Sequence, residues 1–289
     1  MENLKLKAYA KINLSIDLLG KRDDGYNEVK MIMQTVNIFD EIYLNKIEDG
    51  IVIECDNDNV PKGSQNIVYK VASLMFNTYN IKSGLKIKIV KNIPQEAGLG
   101  GGSADAAATI EGINKLFNLN LDLDKLLKIG VQIGADVPYC IYKNTVIATG
   151  IGEKLTRINN FDDVDVVIVK PNFGVSTKEV YEGFDYSLKK EHPDFKVLLK
   201  AIEDKDIDSV ANNMVNVLET VTQNRNPIIK EIKSELMKYG ALGAMMSGSG
   251  PTVFALYKNY DMAKVAYDLL KDNLEYKCYL TKTICFNKF

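Results

Sequence analysis

The chain has 289 residues, enough for one large domain or two ordinary ones with a buried hydrophobic core. Apolar residues make up 46% and charged residues 26% of it, which is typical of a folded globular protein. The net charge of −2 disfavours a broad nucleic-acid surface, although a local patch for a small anion is compatible with it.

The single histidine, His192, excludes metal sites built from two or three histidines, and its charged neighbours predict an exposed turn. No His-Arg-Asp loop is present, which disfavours protein-kinase chemistry.

Cysteine spacing and hydropathy predict a cytoplasmic protein. The four cysteines are too scattered for a zinc site, and we expect them to be reduced and buried as small apolar side chains. They are Cys55, Cys140, Cys278 and Cys285. Lysines interrupt the N-terminal segment, so we expect no signal peptide, and no run approaches the ~18 apolar residues of a membrane helix.

The first part of the chain alternates short strands with one helix. Residues 12–18 alternate apolar and polar side chains, which predicts a half-buried strand, and residues 20–25 form a strong turn signal. Asn66 is a suitable N-cap for a helix that runs to about Tyr79. Further strands are predicted at residues 29–38, 41–47, 51–54 and 85–89.

Helices become more frequent in the rest of the chain. A turn is predicted at residues 134–138 and a strand at 139–148, with a soft domain boundary near residue 155. An alanine-rich helix is predicted to end near residue 116, and further helices are predicted at residues 123–133, 177–183, 195–202, 207–218, 227–239 and 262–270. Residues 164–169 are predicted as a strand, residues 242–246 are apolar, and the segments 253–257 and 276–285 complete the chain. Because strands and helices mix without regular βαβ alternation, we expect an α+β fold.

A glycine-rich loop between a strand and a helix is the most informative segment. Glycine occupies positions 98, 100, 101 and 102. This cluster costs conformational entropy, which indicates that the backbone must approach something closely. N–H groups at a helix N-terminus lack intrahelical partners and lie at the positive end of the dipole, so the loop is suited to phosphate. We expect Ser103 to cap the helix or to hydrogen-bond a phosphate oxygen; a merely flexible turn is the alternative.

The loop matches neither of the two commonest phosphate fingerprints. No Gly-Lys-Ser/Thr follows it, so it is not a Walker A loop, and the sixth position of the Gly98 segment is Ser103 rather than glycine. Residues 94–104 instead resemble the central phosphate loop of the GHMP kinases, which include galactokinase, homoserine kinase and mevalonate kinase. Residues 246–252 are similar to the third motif of that superfamily.

Three further segments resemble one branch of the GHMP kinases. They are residues 8–14, 22–26 and 134–138, so the resemblance runs from residue 8 to about residue 257. Members of this branch use ATP to phosphorylate the 2-hydroxyl of 4-diphosphocytidyl-2-C-methyl-D-erythritol, in the non-mevalonate (methylerythritol phosphate) route to isoprenoids. The resemblance therefore implies a small-molecule kinase that uses ATP and Mg²⁺, has no nucleic-acid or membrane partner, and is a monomer or a weak homodimer.

The resemblance also implies a domain arrangement. A ribosomal-S5-like ATP-binding domain would occupy residues 1–155, and a ferredoxin-like domain on the substrate side would occupy residues 156–289. The active site of the family lies in the cleft between these domains.

Two residues match the catalytic positions of the family. By resemblance, Asp136 is the general base, and Lys11 is the active-site lysine that would keep Asp136 ionised and stabilise developing negative charge. Their contact is a prediction about the fold, because they are far apart in sequence. Taken without the resemblance, Asp136 would be an ordinary turn residue and Lys11 a solvated strand lysine.

Binding residues follow from the same motifs. Asn13 shares a strand face with Lys11, so it either holds Asp136 or the substrate hydroxyl, or it faces solvent. Tyr26 is expected to stack on the substrate cytosine, and Asn66 either contacts adenosine or only caps its helix. The ATP-binding positions are Pro94, Gln95, Glu96, Ala97, Gly98, Leu99, Gly100, Gly101, Gly102, Ser103, Ala104 and Asn66, and the third motif contributes Gly248, Ser249 and Gly250.

The sequence departs from the family pattern at three places. Asn27 replaces the family's histidine after Gly-Tyr, and it can offer a cytosine edge both an acceptor and donors. Ala104 replaces a serine of the loop. Asp105, which we expect in the first helical turn, should point away from the phosphates or meet them only through Mg²⁺. The segment Asn216 to Glu219 lacks the aspartate of the family's Asn-Asp-Leu-Glu, and this loss has no functional interpretation.

Two other functions are compatible with these motifs. One is another GHMP kinase, acting on homoserine or mevalonate; the Asp-Gly-Tyr segment that ends at Tyr26 and residues 134–138 disfavour it, while Asn27 keeps it open. The other is a nucleotide-binding module without catalysis, which the retention of Lys11 and Asp136 disfavours. No protein ligand of Mg²⁺ can be named from the sequence.

Overall fold

Two compact units, interleaved along the sequence, make up the chain. The computed structural model describes residues 3–187 and 191–286. One unit comprises residues 1–10, 38–94 and 100–142, and the other comprises residues 11–37, 95–99 and 143–289. They interleave because the two longest strands, β1 (Asn3–Lys21) and β2 (Asn27–Ile47), contribute to both and pair with each other. Residue 155 lies within a strand, and the division into residues 1–155 and 156–289 stays a prediction.

The first unit packs helices on a sheet. Strand β4 (Gly84–Val90) pairs antiparallel with residues 41–47 of β2 and parallel with β3 (Ile51–Cys55). The alanine-rich helix α2 lies close to β2, where a Cβ on Gly112 would come within 2.2 Å of Leu44 Cδ1. The elements after β2 are β3 (Ile51–Cys55), α1 (Ile67–Tyr79), β4 (Gly84–Val90), α2 (Gly101–Leu116), α3 (Leu123–Ile133) and α4 (Val137–Tyr142).

The second unit contains the rest of the strands. Residues 29–34 of β2 pair antiparallel with β5 (Thr145–Gly150), which pairs with β6 (Lys154–Arg157). Four further strands form a separate antiparallel sheet: β7 (Asp165–Pro171), β8 (Gly243–Met246), β9 (Val253–Tyr257) and β10 (Tyr276–Lys282). Their order in the sheet is β10-β7-β9-β8.

Helices accompany this second sheet. Helices α9 (Ile228–Lys238) and α10 (Tyr260–Leu270) contact its strands through faces that bury aliphatic residues such as Ile229, Ile232 and Ala266. The helices are α5 (Thr177–Glu182), α6 (Phe195–Glu203), α7 (Ile207–Asn213), α8 (Glu219–Arg225), α9 (Ile228–Lys238) and α10 (Tyr260–Leu270). The α+β expectation is confirmed. Within the described part of the chain, every helix is too short or too polar to serve as a membrane span.

Strand β1 is more deeply buried than its alternating pattern predicts. Its polar residues Asn13, Ser15 and Asp17 are as inaccessible as the apolar residues between them, so the prediction of a half-buried strand is wrong. Within the second unit, the backbone of Ile16 bridges to Asn216, and the side chain of Asp17, on the polar face, pairs with His192. Periodicity alone does not reveal this, because the covering residues come from distant segments.

Two other predictions of secondary structure are wrong. Residues 139–142, predicted as strand, belong to helix α4, where the carbonyl of Asp136 accepts a hydrogen bond from Cys140 N at 3.1 Å. The helix predicted at 207–218 ends at Asn213, because residues 214–218 leave the helical path and a new helix begins at Glu219. Cys140 is buried as expected, but Cys55, Cys278 and Cys285 are only half-buried; all four are free thiols.

Candidate active site

The glycine-rich loop contains two glycines in the left-handed region of backbone space. Gly98 has φ +70° and Gly100 has φ +71°, a conformation that disfavours residues with a Cβ. Gly100 is the N-cap of α2 and has no side chain to cap the helix. Of the two alternatives for Ser103, the helix cap is therefore excluded, and the hydrogen bond to a phosphate oxygen stays a prediction. Ser103 lies within the first helical turn, where the leading N–H groups have no intrahelical acceptor. The loop therefore ends in the anion-binding geometry that the sequence predicts.

The first glycine of the loop lies directly against the third glycine motif, within the second unit. Ser247 Oγ donates a hydrogen bond to the carbonyl oxygen of Gly98 at 3.0 Å. A Cβ on Gly98 would lie 2.1 Å from the carbonyl oxygen of Ser247, so only glycine fits there. A Cβ on Gly248 would lie 3.1 Å from the Gly98 carbonyl oxygen and 3.3 Å from Lys11 Nζ. Two motifs that are far apart in sequence thus form one backbone contact beside a lysine.

Asn216 and Glu219 hold the third glycine motif in place. Asn216 Nδ2 donates to the carbonyl oxygens of Met246 and Gly248, each at 2.8 Å, and its Oδ1 accepts from Leu218 N at 3.0 Å. Glu219 Oε2 accepts from the backbone N–H of Met246 at 2.8 Å, and its other oxygen pairs with Lys233. No role follows for this segment from sequence alone, whereas in the structure its amide and its carboxylate hold the backbone of residues 246–248 in place.

Ser249 of the same motif is also anchored. Its carbonyl oxygen accepts from Thr222 Oγ1 at 3.0 Å, and its hydroxyl lies 3.0 Å from the hydroxyl of Thr177. Gly250 has φ +87° and donates its N–H to the Ser247 carbonyl oxygen at 2.9 Å. The peptide bond from Gly250 to Pro251 is cis. Side chains from α5 and α8 therefore also anchor the motif.

Lys11 belongs to the same cluster. Its side chain is only 4% exposed, and its Nζ donates to Asn13 Oδ1 at 2.6 Å. Its backbone N–H donates to the carbonyl oxygen of Leu99 at 3.0 Å, which ties β1 to the glycine loop. Because Lys11 and Asn13 are both buried, the alternatives in which they face solvent are excluded.

Asp136, by contrast, lies in the first unit, at the junction of α3 and α4. Asp136 is partly exposed, and its backbone carbonyl oxygen accepts a hydrogen bond from the N–H of Cys140 in α4. The preceding Gly134 closes α3 by donating to the Gly130 carbonyl oxygen at 3.0 Å. This turn presents the aspartate between two helices, and its approach to Lys11 stays a prediction.

Asn66 caps α1 as expected. Its Oδ1 accepts from Val68 N at 2.9 Å, and its Nδ2 donates to the Pro61 carbonyl oxygen at 2.5 Å. The predicted apolar face of α1 is buried. Helix capping therefore accounts for this residue, and its contact with adenosine stays a prediction.

Glu96 is a non-glycine loop residue in the left-handed region, with φ +47°. Its side chain packs against the backbone of Gly174, where a Cβ would lie 1.9 Å from Glu96 Oε2. Nearby, Lys170 Nζ donates to the carbonyl oxygens of Pro171 and Phe173 at 2.7 and 2.6 Å. Burial lowers the pKa of Lys170, and Glu96 partly opposes this effect. The acidic side chain is thus accommodated beside a lysine of the second unit.

A buried cluster of three charges, which the sequence did not reveal, lies under the start of α2. Lys91 Nζ pairs with Asp40 and donates to Asp105 Oδ2 at 2.8 Å. Asp40 Oδ1 also accepts the backbone N–H groups of Asn92 and Ile93, and a Cβ on Gly101 would lie 3.6 Å from Lys91 Nζ. The cluster therefore ties β2, the segment before the loop and α2 together.

Asp105 is the unusual member of this cluster. It lies in the second turn of α2 rather than the first, because the helix begins at Gly101. Burial raises its pKa to about 8, while Lys91 opposes the shift and Asp40 adds to it. Within the described residues its Oδ1 has no hydrogen-bond partner, which is costly for a buried carboxylate and favours the protonated form. Two carboxyl groups thus share one lysine, and Asp105 accepts fewer hydrogen bonds than Asp40 does.

The turn before Tyr26 is fixed by charge. Asp24 Oδ1 accepts the Tyr26 N–H at 3.1 Å, and Arg22 bonds to both Asp24 and Glu28. The Arg22 guanidinium holds the pKa of Asp24 below its ordinary value. Tyr26 is 58% exposed, so its ring is available to a ligand. The next residue, Asn27, accepts a hydrogen bond at Oδ1 from Tyr186 OH at 2.8 Å.

Comparison with known proteins agrees with this geometry. Residues 66–144 match the model of the GHMP kinases N terminal domain, and residues 198–275 match the GHMP kinases C terminal model. The chain therefore belongs to the GHMP kinases.

Closer relatives narrow the assignment. A 4-diphosphocytidyl-2-C-methyl-D-erythritol kinase from Acetivibrio thermocellus is 54% identical over 284 residues, which cover 98% of this chain and 100% of that protein. One from Clostridium botulinum is 49% identical and covers 97% and 100%. A crystal structure of 4-(cytidine 5'-diphospho)-2C-methyl-D-erythritol kinase superposes with a TM-score of 0.85 at 26% identity, covering 98% and 100%. Within the GHMP kinases, the chain belongs to the 4-diphosphocytidyl-2-C-methyl-D-erythritol kinases.

The fold is shared more widely in the superfamily. A homoserine kinase from Cytophaga hutchinsonii superposes with a TM-score of 0.79 at 21% identity, covering 98% of this chain and 95% of that one. This similarity concerns the fold alone, so the substrate must be argued from the site.

Proposed function

We propose that the chain transfers the γ-phosphoryl group of ATP to the 2-hydroxyl of 4-diphosphocytidyl-2-C-methyl-D-erythritol, a step of the methylerythritol phosphate route to isoprenoids. One observation supports the proposal that the chain binds the phosphates of ATP. Gly98 of the loop, Gly248 of the third motif and Lys11 lie together, and the loop ends at the N-terminus of α2. The substrate part is supported by the names of the relatives and by the exposed Tyr26.

The proposed reaction is an in-line displacement at the γ-phosphorus. The substrate hydroxyl oxygen forms a bond to phosphorus, the bond from phosphorus to the bridging oxygen of ADP breaks, and the hydroxyl proton passes to Asp136. N–H groups at residues 101–103 bind the phosphate oxygens, and Lys11 stabilises the negative charge that develops in the transition state. Asn13 holds the Lys11 ammonium, since its Oδ1 accepts from Nζ.

Mg²⁺ enters this reaction as part of the nucleotide substrate. Among residues 3–187 and 191–286, no group of three or more His, Cys, Asp or Glu is arranged to hold a metal ion. Mg²⁺ usually keeps several waters and binds substrate phosphates with one or two carboxylates. Of the two acids nearest the loop in sequence, Asp105 is bonded to Lys91 and Glu96 packs against Gly174. We therefore name no protein ligand for the ion.

The four free thiols fit a reducing compartment, and we propose that the enzyme acts in the cytoplasm. Its proposed partner is a small molecule only.

A substrate panel tests this function. ADP release is measured with Mg-ATP and each of four acceptors: the cytidyl diphosphate of methylerythritol, its uridyl analogue, homoserine and mevalonate. We expect rapid turnover with the cytidyl compound. Turnover with homoserine or mevalonate in its place would replace this function with that of another GHMP kinase. ATP binding without turnover of any acceptor would favour a nucleotide-binding module.

A further inference from the structure

The residue that replaces the family's histidine is held by a tyrosine from a distant segment. Asn27 is the first residue of β2, and its Oδ1 accepts a hydrogen bond from Tyr186 OH at 2.8 Å, across 159 positions of sequence. Tyr186 is 40% exposed, and its ring meets that of Phe184 edge-on at a centroid distance of 4.8 Å and an angle of 79°. Phe184 is buried, so the Tyr186 ring packs against a side chain of the interior. Both ends of the hydrogen bond belong to the second unit.

The Tyr186 hydroxyl keeps its proton, which a hydrogen-bond donor requires. Partial burial raises the pKa of Tyr186, and the charge of Asp17 adds to this effect, so the phenol keeps its proton at neutral pH. Asp17 is itself paired with His192, whose Nδ1 lies 2.7 Å from Asp17 Oδ1. A protonated phenol has one proton to give, and here it is given to Asn27.

In this structure Asn27 Oδ1 is the end of the amide that lies at Tyr186 OH, which leaves the other end for a ligand. An amide carries an acceptor oxygen and a donor NH₂ at two interchangeable positions. With Oδ1 occupied by Tyr186, Nδ2 and its two N–H donors occupy the opposite position. Cytosine presents adjacent acceptors at O2 and N3, whereas uracil carries a donor at N3. A fixed Nδ2 therefore fits cytosine and meets an N–H group of uracil, which leaves donors unpaired.

We propose that Tyr186 is a specificity-determining residue, which orients the Asn27 amide so that Nδ2 donates to the cytosine edge of the substrate and discriminates against uracil. The proposal rests on the proposed function, since it presupposes a cytidyl substrate. It assigns Tyr186 a positioning role that depends on its hydroxyl and is exerted through Asn27.

The test compares cytidyl and uridyl substrates in single and double variants. Tyr186→Phe removes the hydroxyl and keeps the ring, so packing against Phe184 is retained. We expect the ratio of kcat/KM for the cytidyl compound to that for the uridyl compound to fall roughly 3- to 10-fold, the effect of one hydrogen bond. The change should lie in KM for the cytidyl compound, with kcat and KM for ATP within twofold of the parent. Tyr260→Phe, which removes an exposed hydroxyl on α10, is the matched control.

The double variant separates orientation from a direct contact. In an Asn27→Ala background, Tyr186→Phe should leave the cytidyl-to-uridyl ratio unchanged, because no amide remains to be oriented. An unchanged ratio in the single variant would overturn the proposal. An equal fall with and without Asn27 would also overturn it, since Tyr186 would then act independently of the amide. Failure of the parent enzyme to use either nucleotide substrate would instead count against the proposed function.

Discussion

Ser247 Oγ donates a hydrogen bond to the Gly98 carbonyl oxygen at 3.0 Å, and a Cβ on Gly98 would lie 2.1 Å from the Ser247 carbonyl oxygen. The loop and the third glycine motif are thus in backbone contact across 149 positions of sequence. A backbone atom cannot rotate away as a long side chain can, so this contact requires glycine at position 98. The shape of the proposed phosphate site therefore depends on a segment near the C-terminus.

Gly98→Ala should weaken ATP binding. The new Cβ both disfavours the left-handed conformation, by about 1–2 kcal/mol, and collides with the Ser247 carbonyl group, so the loop must shift. We expect the Kd for ATP, measured by calorimetry, to rise at least tenfold. Gly50→Ala is the matched control, because Gly50 has φ +78° but nothing within 4 Å of its Cβ position. Equal effects of the two variants would show that strain alone, and not the contact with Ser247, is responsible.

Asp136→Asn should abolish turnover while ATP still binds. The amide is nearly isosteric with the carboxylate, but it cannot accept the hydroxyl proton, so we expect kcat to fall by several orders of magnitude, from about 10²-fold upwards. The Kd for ATP should change less than threefold. Asp124→Asn, at an exposed position in the first turn of α3, controls for the loss of a charge. Unchanged turnover in Asp136→Asn would remove this residue from the mechanism.

Asn216→Asp should disrupt the third glycine motif. A carboxylate cannot donate to the carbonyl oxygens of Met246 and Gly248, so two buried acceptors would face a negative charge. We expect the free energy of unfolding, measured in urea, to fall by about 2–4 kcal/mol, with a parallel loss of ATP affinity. Asn226→Asp is the comparison, because Asn226 Nδ2 donates to a single, partly buried carbonyl oxygen of Thr222 at 3.0 Å. A loss no larger than that of the comparison would contradict the anchoring role of Asn216.

Asp105→Asn should change how stability depends on pH. The pKa of Asp105 is about 8 in the folded protein and close to its ordinary value of 3.8 in the unfolded chain. Between these values the folded state binds more protons than the unfolded state, so the free energy of unfolding falls as pH rises through this window. The asparagine variant has no carboxyl group to titrate and should show a smaller decline.

Urea unfolding at several pH values across the window measures this effect. Asp268→Asn is the control, because Lys264 and Lys271 lower the pKa of this exposed carboxyl and it titrates below the window. Identical slopes for Asp105→Asn and the parent would show that Asp105 is ionised throughout.

Tyr26→Ala should act on the cytidyl substrate and not on ATP. Removing an exposed aromatic ring that stacks on a base costs about 1–3 kcal/mol, which corresponds to a 5- to 150-fold rise in KM for the cytidyl compound. KM for ATP should stay within threefold. Tyr260→Ala, on the exposed face of α10, is the control. An equal rise in both KM values would contradict a base-stacking role.

The motifs of the sequence determined the superfamily, the phosphate loop and the secondary structure around it. Local signals suffice for such features: glycines that admit a left-handed backbone, Asn66 as an N-cap, and the apolar faces of α1 and β4. The same local reasoning failed at residues 139–142, which are helical, and it could not decide between the two alternatives for Ser103, of which the cap is excluded because Gly100 is the N-cap.

Only the tertiary structure revealed which distant residues contact one another. Lys91 is an ordinary lysine in the sequence, yet it lies between Asp40 and Asp105 in the interior. Asn216 and Tyr186 likewise acquire roles only through the groups they contact, Gly248 and Asn27. The physical reason is that hydrogen bonds and desolvation act over a few ångströms in space, whereas a sequence pattern records only neighbours along the chain.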